Sequence, residues 1–203
     1  MTFNLKNSIE HVCKSIKNTP LREHNGVRYQ VYENFFDKIF LQKLQETKSN
    51  KVKLERLRWQ EQENRRLVNY GEPISKILQV LFHSSKILSA LKTKYNLNSL
   101  RPNTTDMWFD YNDYNITPHI DGDYQMQLQI YLNDEKQPPT AFFEKDPNGK
   151  FTSDVTHHKF KKFDSAEYKS NYGYCLLNEG PSWHGMTGPM ESGERQSIFA
   201  RFE

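Results

Sequence analysis

The chain has 203 residues, enough to bury one core and too few to require a second domain. Its formal charge of +3 and sequence pI near 8.7 are too mild to establish nucleic-acid binding and too positive to argue against an acidic partner. Two cysteines, Cys13 and Cys175, argue against a disulfide framework. No secretory signal opens the chain and no stretch approaches the ~20 apolar residues of a membrane helix, so the expectation is a soluble, cytoplasmic protein with no membrane partner.

Aromatic residues make up 13% of the chain, with 11 Tyr and 13 Phe, which predicts a core built largely from rings. Residues 1–26 carry a weak helical pattern, Ile9, Val12, Cys13 and Ile16, and read as an arm or short helix ending at Asn25-Gly26. Residues 27–203 read as a single domain. Val27 to Tyr32 alternates as a strand, after which Asn34 is the expected cap of a helix from Phe36 toward Glu46. Residues 48–72 are heavily charged and predict a solvated helix or loop laced with ion pairs; a sharper reading makes Arg56, Arg58, Arg65 and Arg66 a basic rim for an acidic substrate. From Pro73, apolar residues recur at helical spacing up to Tyr95, with His83 inside the run as a packed or surface residue.

Helical support therefore spans about 34–100. From about 105 to 203 the pattern is that of strands: Met107–Tyr111, Thr117–Asp121, Gln125–Asn133, Ala141–Glu144, Tyr172–Leu177 and Arg195–Phe202. Helices followed by about six short strands argue for a mainly β sandwich or barrel backed by helices. The run from Phe151 to Asn171 is poor in apolar residues and reads as a loop over a site mouth.

Chemistry concentrates at His119-Ile120-Asp121. On a strand, side chains two apart leave the same face, so an imidazole and a carboxylate at that spacing can share one metal ion. Two histidines and a carboxylate form the facial triad typical of non-haem Fe(II), and His184, followed by Gly185, is the best third ligand. Singly, without a partner, His119 and Asp121 read more readily as a capped turn between Pro118 and Gly122. Asp123 is the nearest rival carboxylate, and His157-His158, adjacent on the chain, would face opposite ways on a strand. Eleven positions after His184, Arg195 opens the last strand, where a fixed guanidinium suits a bidentate grip on a dicarboxylic cosubstrate; Ser197 leaves the same face. Gln127 and Gln129 share their face with Tyr131 and, if buried beside the metal, need partners. Zinc hydrolysis fits the ligand types but leaves Arg195 without a role.

Five pieces in order carry a resemblance: Val31-Tyr32-Glu33-Asn34-Phe35-Phe36, Met107 through Tyr111, His119-Ile120-Asp121, Ile130-Tyr131-Leu132-Asn133-Asp134, and His184 through Phe202. Together they resemble the Fe(II)- and 2-oxoglutarate-dependent dioxygenases, particularly the prolyl 4-hydroxylase-like branch. The resemblance implies a double-stranded β-helix (jelly roll, cupin-like) packed against N-terminal helices. It implies His119, Asp121 and His184 as iron ligands, and Arg195 with Tyr131 on the distal carboxylate of 2-oxoglutarate. By position it places Tyr111 near the metal-chelating end. Two departures stand out: the spacing from Tyr111 to His119 is short, and Gln137-Pro138-Pro139-Thr140 replaces the usual glycine turn. The activity implied is hydroxylation of a C–H bond in a protein or peptide side chain, prolyl by resemblance, consuming O2 and 2-oxoglutarate, releasing succinate and CO2, with ascorbate as an auxiliary reductant. The alternatives are the same oxidation of a nucleobase or small metabolite, or a catalytically silent cupin-like binding module.

Overall fold

The computed structural model describes residues 3–55, 64–122, 124–146 and 160–203. Among the described residues, four helices, α1 (Leu5–Asn18), α2 (Lys38–Gln45), α3 (Pro73–Phe82) and α4 (Ser85–Tyr95), accompany eleven strands. These are β1 (Arg22–His24), β2 (Val27–Tyr32), β3 (Leu54–Glu55), β4 (Arg65–Val68), β5 (Pro102–Asp110), β6 (Met126–Tyr131), β7 (Thr140–Lys145), β8 (Phe160–Ala166), β9 (Gly173–Leu177), β10 (Trp183–Met186) and β11 (Arg195–Phe202). Every paired strand is antiparallel. The large sheet runs β1-β2-β9-β6-β11-β5-β4-β3 and the small one β10-β7-β8.

The two faces of the large sheet do different work. Along β11, Ile198, Ala200 and Phe202 face the helices and join a core with Val12, Ile16, Phe40, Leu78, Phe82 and Leu91. The alternate residues, Arg195, Ser197, Phe199 and Arg201, face the small sheet, as the period of two requires. Between the sheets, Tyr29, Tyr131, Phe142 and Tyr174 form a second, aromatic cluster. The ring-rich composition thus fills both layers.

Local chemistry moves several boundaries. Residues 3–26 pack on the rest of the fold: the fully buried Gln30 amide donates to the carbonyls of Ile16 (3.0 Å) and Thr19 (2.7 Å), holding the end of α1, and β1 pairs with β2. Asp37 caps α2 by accepting from the backbone of Ile39 and Phe40, while Asn34 turns the chain at φ 55°. The single helix expected from Pro73 to Tyr95 is two helices. Ser84 takes an extended conformation between them, as a serine suited to an N-cap position does. Within 48–72, β3 and β4 extend the large sheet beside β5, and part of the expected mouth loop is β8. Thr117–Asp121 is not a strand; it makes one bridge, His119 to His184. Among the described residues, no helix is long and apolar enough to cross a membrane.

Candidate metal and cosubstrate site

His119 and His184 exchange backbone hydrogen bonds, N to O at 2.9 and 3.0 Å, which brings a loop residue against the second residue of β10. The approach depends on Gly185, where a Cβ would lie 2.8 Å from the carbonyl carbon and oxygen of Thr117. The imidazole centroids are 4.4 Å apart. Asp121 completes the group, and ligand atoms of the three residues all lie within 4.8 Å of one another.

Each ring is oriented by the main chain two residues before it. His119 Nδ1 is 2.8 Å from the Thr117 carbonyl oxygen and His184 Nδ1 is 3.0 Å from that of Ser182. Only a protonated Nδ1 can satisfy a carbonyl, so in the neutral rings Nε2 carries the lone pair. Those Nε2 atoms face Asp121, His119 at 3.5 Å from Oδ1 and His184 at 3.1 Å from Oδ2. Three electron-pair donors turned toward one another at such distances could hold a cation, and carbonyl-anchored imidazoles are the usual outer support of a metal ligand. Burial opposes ionisation of Asp121, but the two imidazoles outweigh it and hold the carboxyl well below its ordinary range. At His119, burial disfavours the charged ring, yet Asp121 and the Thr117 carbonyl raise its pKa. Gln127, fully buried, places its amide nitrogen 2.7 Å from His184 Nε2.

A cavity of about 260 Å³ opens from this group and ends at Arg195. Across β4, β5 and β11, Arg65, Asp110 and Arg195 stand opposite one another in a single row. Arg65 grips Asp110 through Nε (2.6 Å) and Nη2 (3.3 Å), and its guanidinium lies over the rings of Trp108 and Tyr114. Burial would strip the Arg65 proton; the Asp110 carboxylate outweighs that and raises its pKa. Two guanidinium groups and one carboxylate leave this end one positive charge in excess. Arg195 is 2% exposed, and its Nε and Nη1 have no acceptor. Buried donors on a charge are costly to leave unmet, so the position fits one carboxylate of a small diacid. Tyr131 and Tyr168 flank the Arg195 guanidinium at 5.1 and 5.6 Å.

The fold brings His119, Asp121, His184 and Arg195 to one cavity. Tyr131 lies against Arg195 with its hydroxyl donated to Thr140 Oγ1 at 2.6 Å. Ser197 sits behind the wall, accepting from Gln129 at 3.2 Å, and Tyr174 donates to the Gln129 carbonyl oxygen at 3.1 Å, so that amide is satisfied. Tyr111 is not brought to the cavity. It packs against the helical core with its backbone N–H on the Asn64 carbonyl, and Tyr114, after the turn at Asp113, lines the wall instead. Arg65, Tyr114, Thr140 and Arg201 also line the cavity, and none was singled out as a site residue from the sequence. Arg65 carried a signal only as one of four arginines in the proposed basic rim; Arg56 and Arg58, like Asp123 and His157-His158, lie outside the described residues. His83 ends α3, exposed.

No family model and no curated protein matches this sequence. Solved structures do. A 2OG-Fe(II) oxygenase family oxidoreductase from Burkholderia pseudomallei aligns at TM-score 0.61 and 10% identity, covering 100% of this chain and 91% of that one. HygX from Streptomyces hygroscopicus, with nickel and 2-oxoglutarate bound, aligns at TM-score 0.60 and 14% identity over 86% and 82% of the two chains. The viral collagen prolyl hydroxylase vCPH from Paramecium Bursaria Chlorella virus-1, in its 2OG complex, aligns at TM-score 0.53 and 14% identity over 86% and 94%. The chain has the double-stranded β-helix fold of the 2-oxoglutarate- and Fe(II)-dependent oxygenases.

Proposed function

We propose that this protein is an Fe(II)- and 2-oxoglutarate-dependent dioxygenase that hydroxylates a C–H bond, with a prolyl or other side chain of a protein or peptide as its substrate. One observation carries the reading: two imidazoles and a carboxylate that could hold a cation share a cavity with a buried guanidinium whose Nε and Nη1 lack acceptors among the described residues.

His119, Asp121 and His184 would hold the iron, and Arg195 would take the distal carboxylate of 2-oxoglutarate. With the metal and 2-oxoglutarate bound, O2 would be the oxidant: one of its atoms would end in succinate, released with CO2, and the other would convert C–H to C–OH. The chain's own part is geometry and the exclusion of water. Arg65 keeps Asp110 occupied, so Arg195 remains free for a ligand. Thr140 fixes the Tyr131 hydroxyl and thereby the ring that flanks Arg195. Trp108 and Tyr114 hold Arg65 and wall the deep end. A binding module without turnover would have no need of both the ligand set and the unmatched arginine.

The peptide assignment draws on the motif order in the sequence and on the likeness to vCPH. A second reading, a small-molecule substrate, draws on the likeness to HygX, which is also described with hygromycin B bound. The test is anaerobic thermal unfolding with Fe(II) and 2-oxoglutarate, then succinate release in the presence of proline-containing peptides, oligonucleotides and free amino acids. A cosubstrate-dependent rise in Tm and peptide-stimulated succinate release are expected; no rise in Tm would refute the cofactor assignment.

A further inference from the structure

We infer that Arg201 recognises a carboxylate on the primary substrate, an inference that rests on the function proposed above. Arg201 lies on the same face of β11 as Arg195 but six residues further along, with backbone positions roughly 20 Å apart at strand rise. A five-carbon diacid held at Arg195 therefore leaves Arg201 to another ligand. Its place is next to the reacting end: Arg201 pairs in register with Gln127, whose amide touches the ligating nitrogen of His184.

The side chain is built in rather than loose. Nη2 donates to Asp106 Oδ2 at 3.0 Å, and Tyr70 donates its hydroxyl to the other Asp106 oxygen at 2.8 Å. The guanidinium carbon stands 5.0 Å from the Phe199 ring centroid and 5.4 Å from that of Tyr124, so rings flank the group. What remains is Nε, buried and without an acceptor, in a residue that lines the cavity. The β11–β5 register shifts between Ala200 and Phe202, and such an irregularity re-aims the side chain at its centre. A charged donor with an unmatched N–H, between two apolar rings, selects a carboxylate attached to an apolar or planar body; an amide of the same shape offers a weaker acceptor.

The carboxylate can belong to a free amino acid or to an acidic residue of a peptide. Protein loaded with Ni(II) and 2-oxoglutarate without oxygen is titrated with N-acetylproline against N-acetylprolinamide, and with a blocked Glu-Pro hexapeptide against its Gln-Pro counterpart. In one pair the acid is expected to bind about tenfold tighter than its amide, and that pair identifies the source. In Arg201→Gln the preference should fall below about twofold while the Tm rise caused by Ni(II) and 2-oxoglutarate is retained. Arg201→Lys, which keeps the charge but not Nε, should lose at least about threefold of the preference and serves if the Gln variant does not fold. Equal binding of acid and amide, binding of neither, or a preference that survives both substitutions overturns the assignment of Arg201 alone. A wild-type protein whose Tm ignores 2-oxoglutarate overturns the proposed function and this inference with it.

Discussion

Arg65 and Asp110 meet at 2.6 Å on the floor of the cavity, and the same carboxylate lies 3.9 Å from Arg195 Nε. Asp110 is fully buried and Arg65 nearly so, which makes this pair a structural brace with a functional edge. Replacing Arg65 by Met should destabilise the protein by about 3–5 kcal/mol, because the buried Asp110 carboxylate loses both hydrogen bonds from Arg65 and keeps only the looser approach of Arg195. That carboxylate would then turn to Arg195 and compete with 2-oxoglutarate. Urea unfolding and calorimetric titration check both effects; a loss under about 1 kcal/mol with unchanged cosubstrate affinity would refute the brace.

Arg195→Ala should weaken 2-oxoglutarate binding by about 2–3 kcal/mol, the scale of a charge-assisted hydrogen bond, while leaving metal affinity within about threefold of wild type. Equal losses of both affinities would make the arginine a structural residue only.

His119→Ala and Asp121→Ala should each abolish the metal-dependent rise in Tm. The variants remain folded, since both side chains are partly exposed at the mouth. Circular dichroism separates loss of the site from loss of the fold, and a wild-type metal response in either variant would remove that residue from the ligand set.

The raised pKa of His119 sets a pH dependence. In the metal-free protein its protonated form contributes stability below the ordinary value of 6.5, and that contribution fades as pH climbs through the folded value. Metal binding runs the other way, because a ligand must give up its proton. The Tm difference between Ni(II)-loaded and metal-free protein should therefore widen between about pH 6 and 8. A flat difference would mean that His119 does not ligate.

Gly185→Ala is predicted to cost about 1–3 kcal/mol and to weaken metal binding out of proportion to its size. The added methyl would meet the Thr117 backbone, which cannot yield without moving His119. An alanine variant with unchanged metal affinity would show that the two ligand segments tolerate separation.

The grouping of His119, Asp121 and His184 could be anticipated from the chain because these residues are chemically distinctive and because glycine and proline flank them. Arg195 was legible for the same reason, opening an alternating strand. Arg65 was hidden: among the lysines and arginines of residues 48–72 nothing marks the one that a cross-strand register will bury opposite Asp110. Tyr111 and Tyr114 show the limit of positional reasoning, since a turn at Asp113 with φ 66° decides which tyrosine enters the cavity. The chain likewise breaks between α3 and α4 at Ser84, whose extended backbone apolar spacing does not reveal.

Both imidazoles of the candidate site hang from carbonyl oxygens of their own chain, Thr117 and Ser182, so their aim is set by peptide units that no side-chain substitution can delete. Much of the ordering cost of assembling the ligand set is then met when the polypeptide folds rather than when the ion arrives. Binding of an ion would then require displacement of the Gln127 amide from His184 Nε2 and little further ordering of the chain.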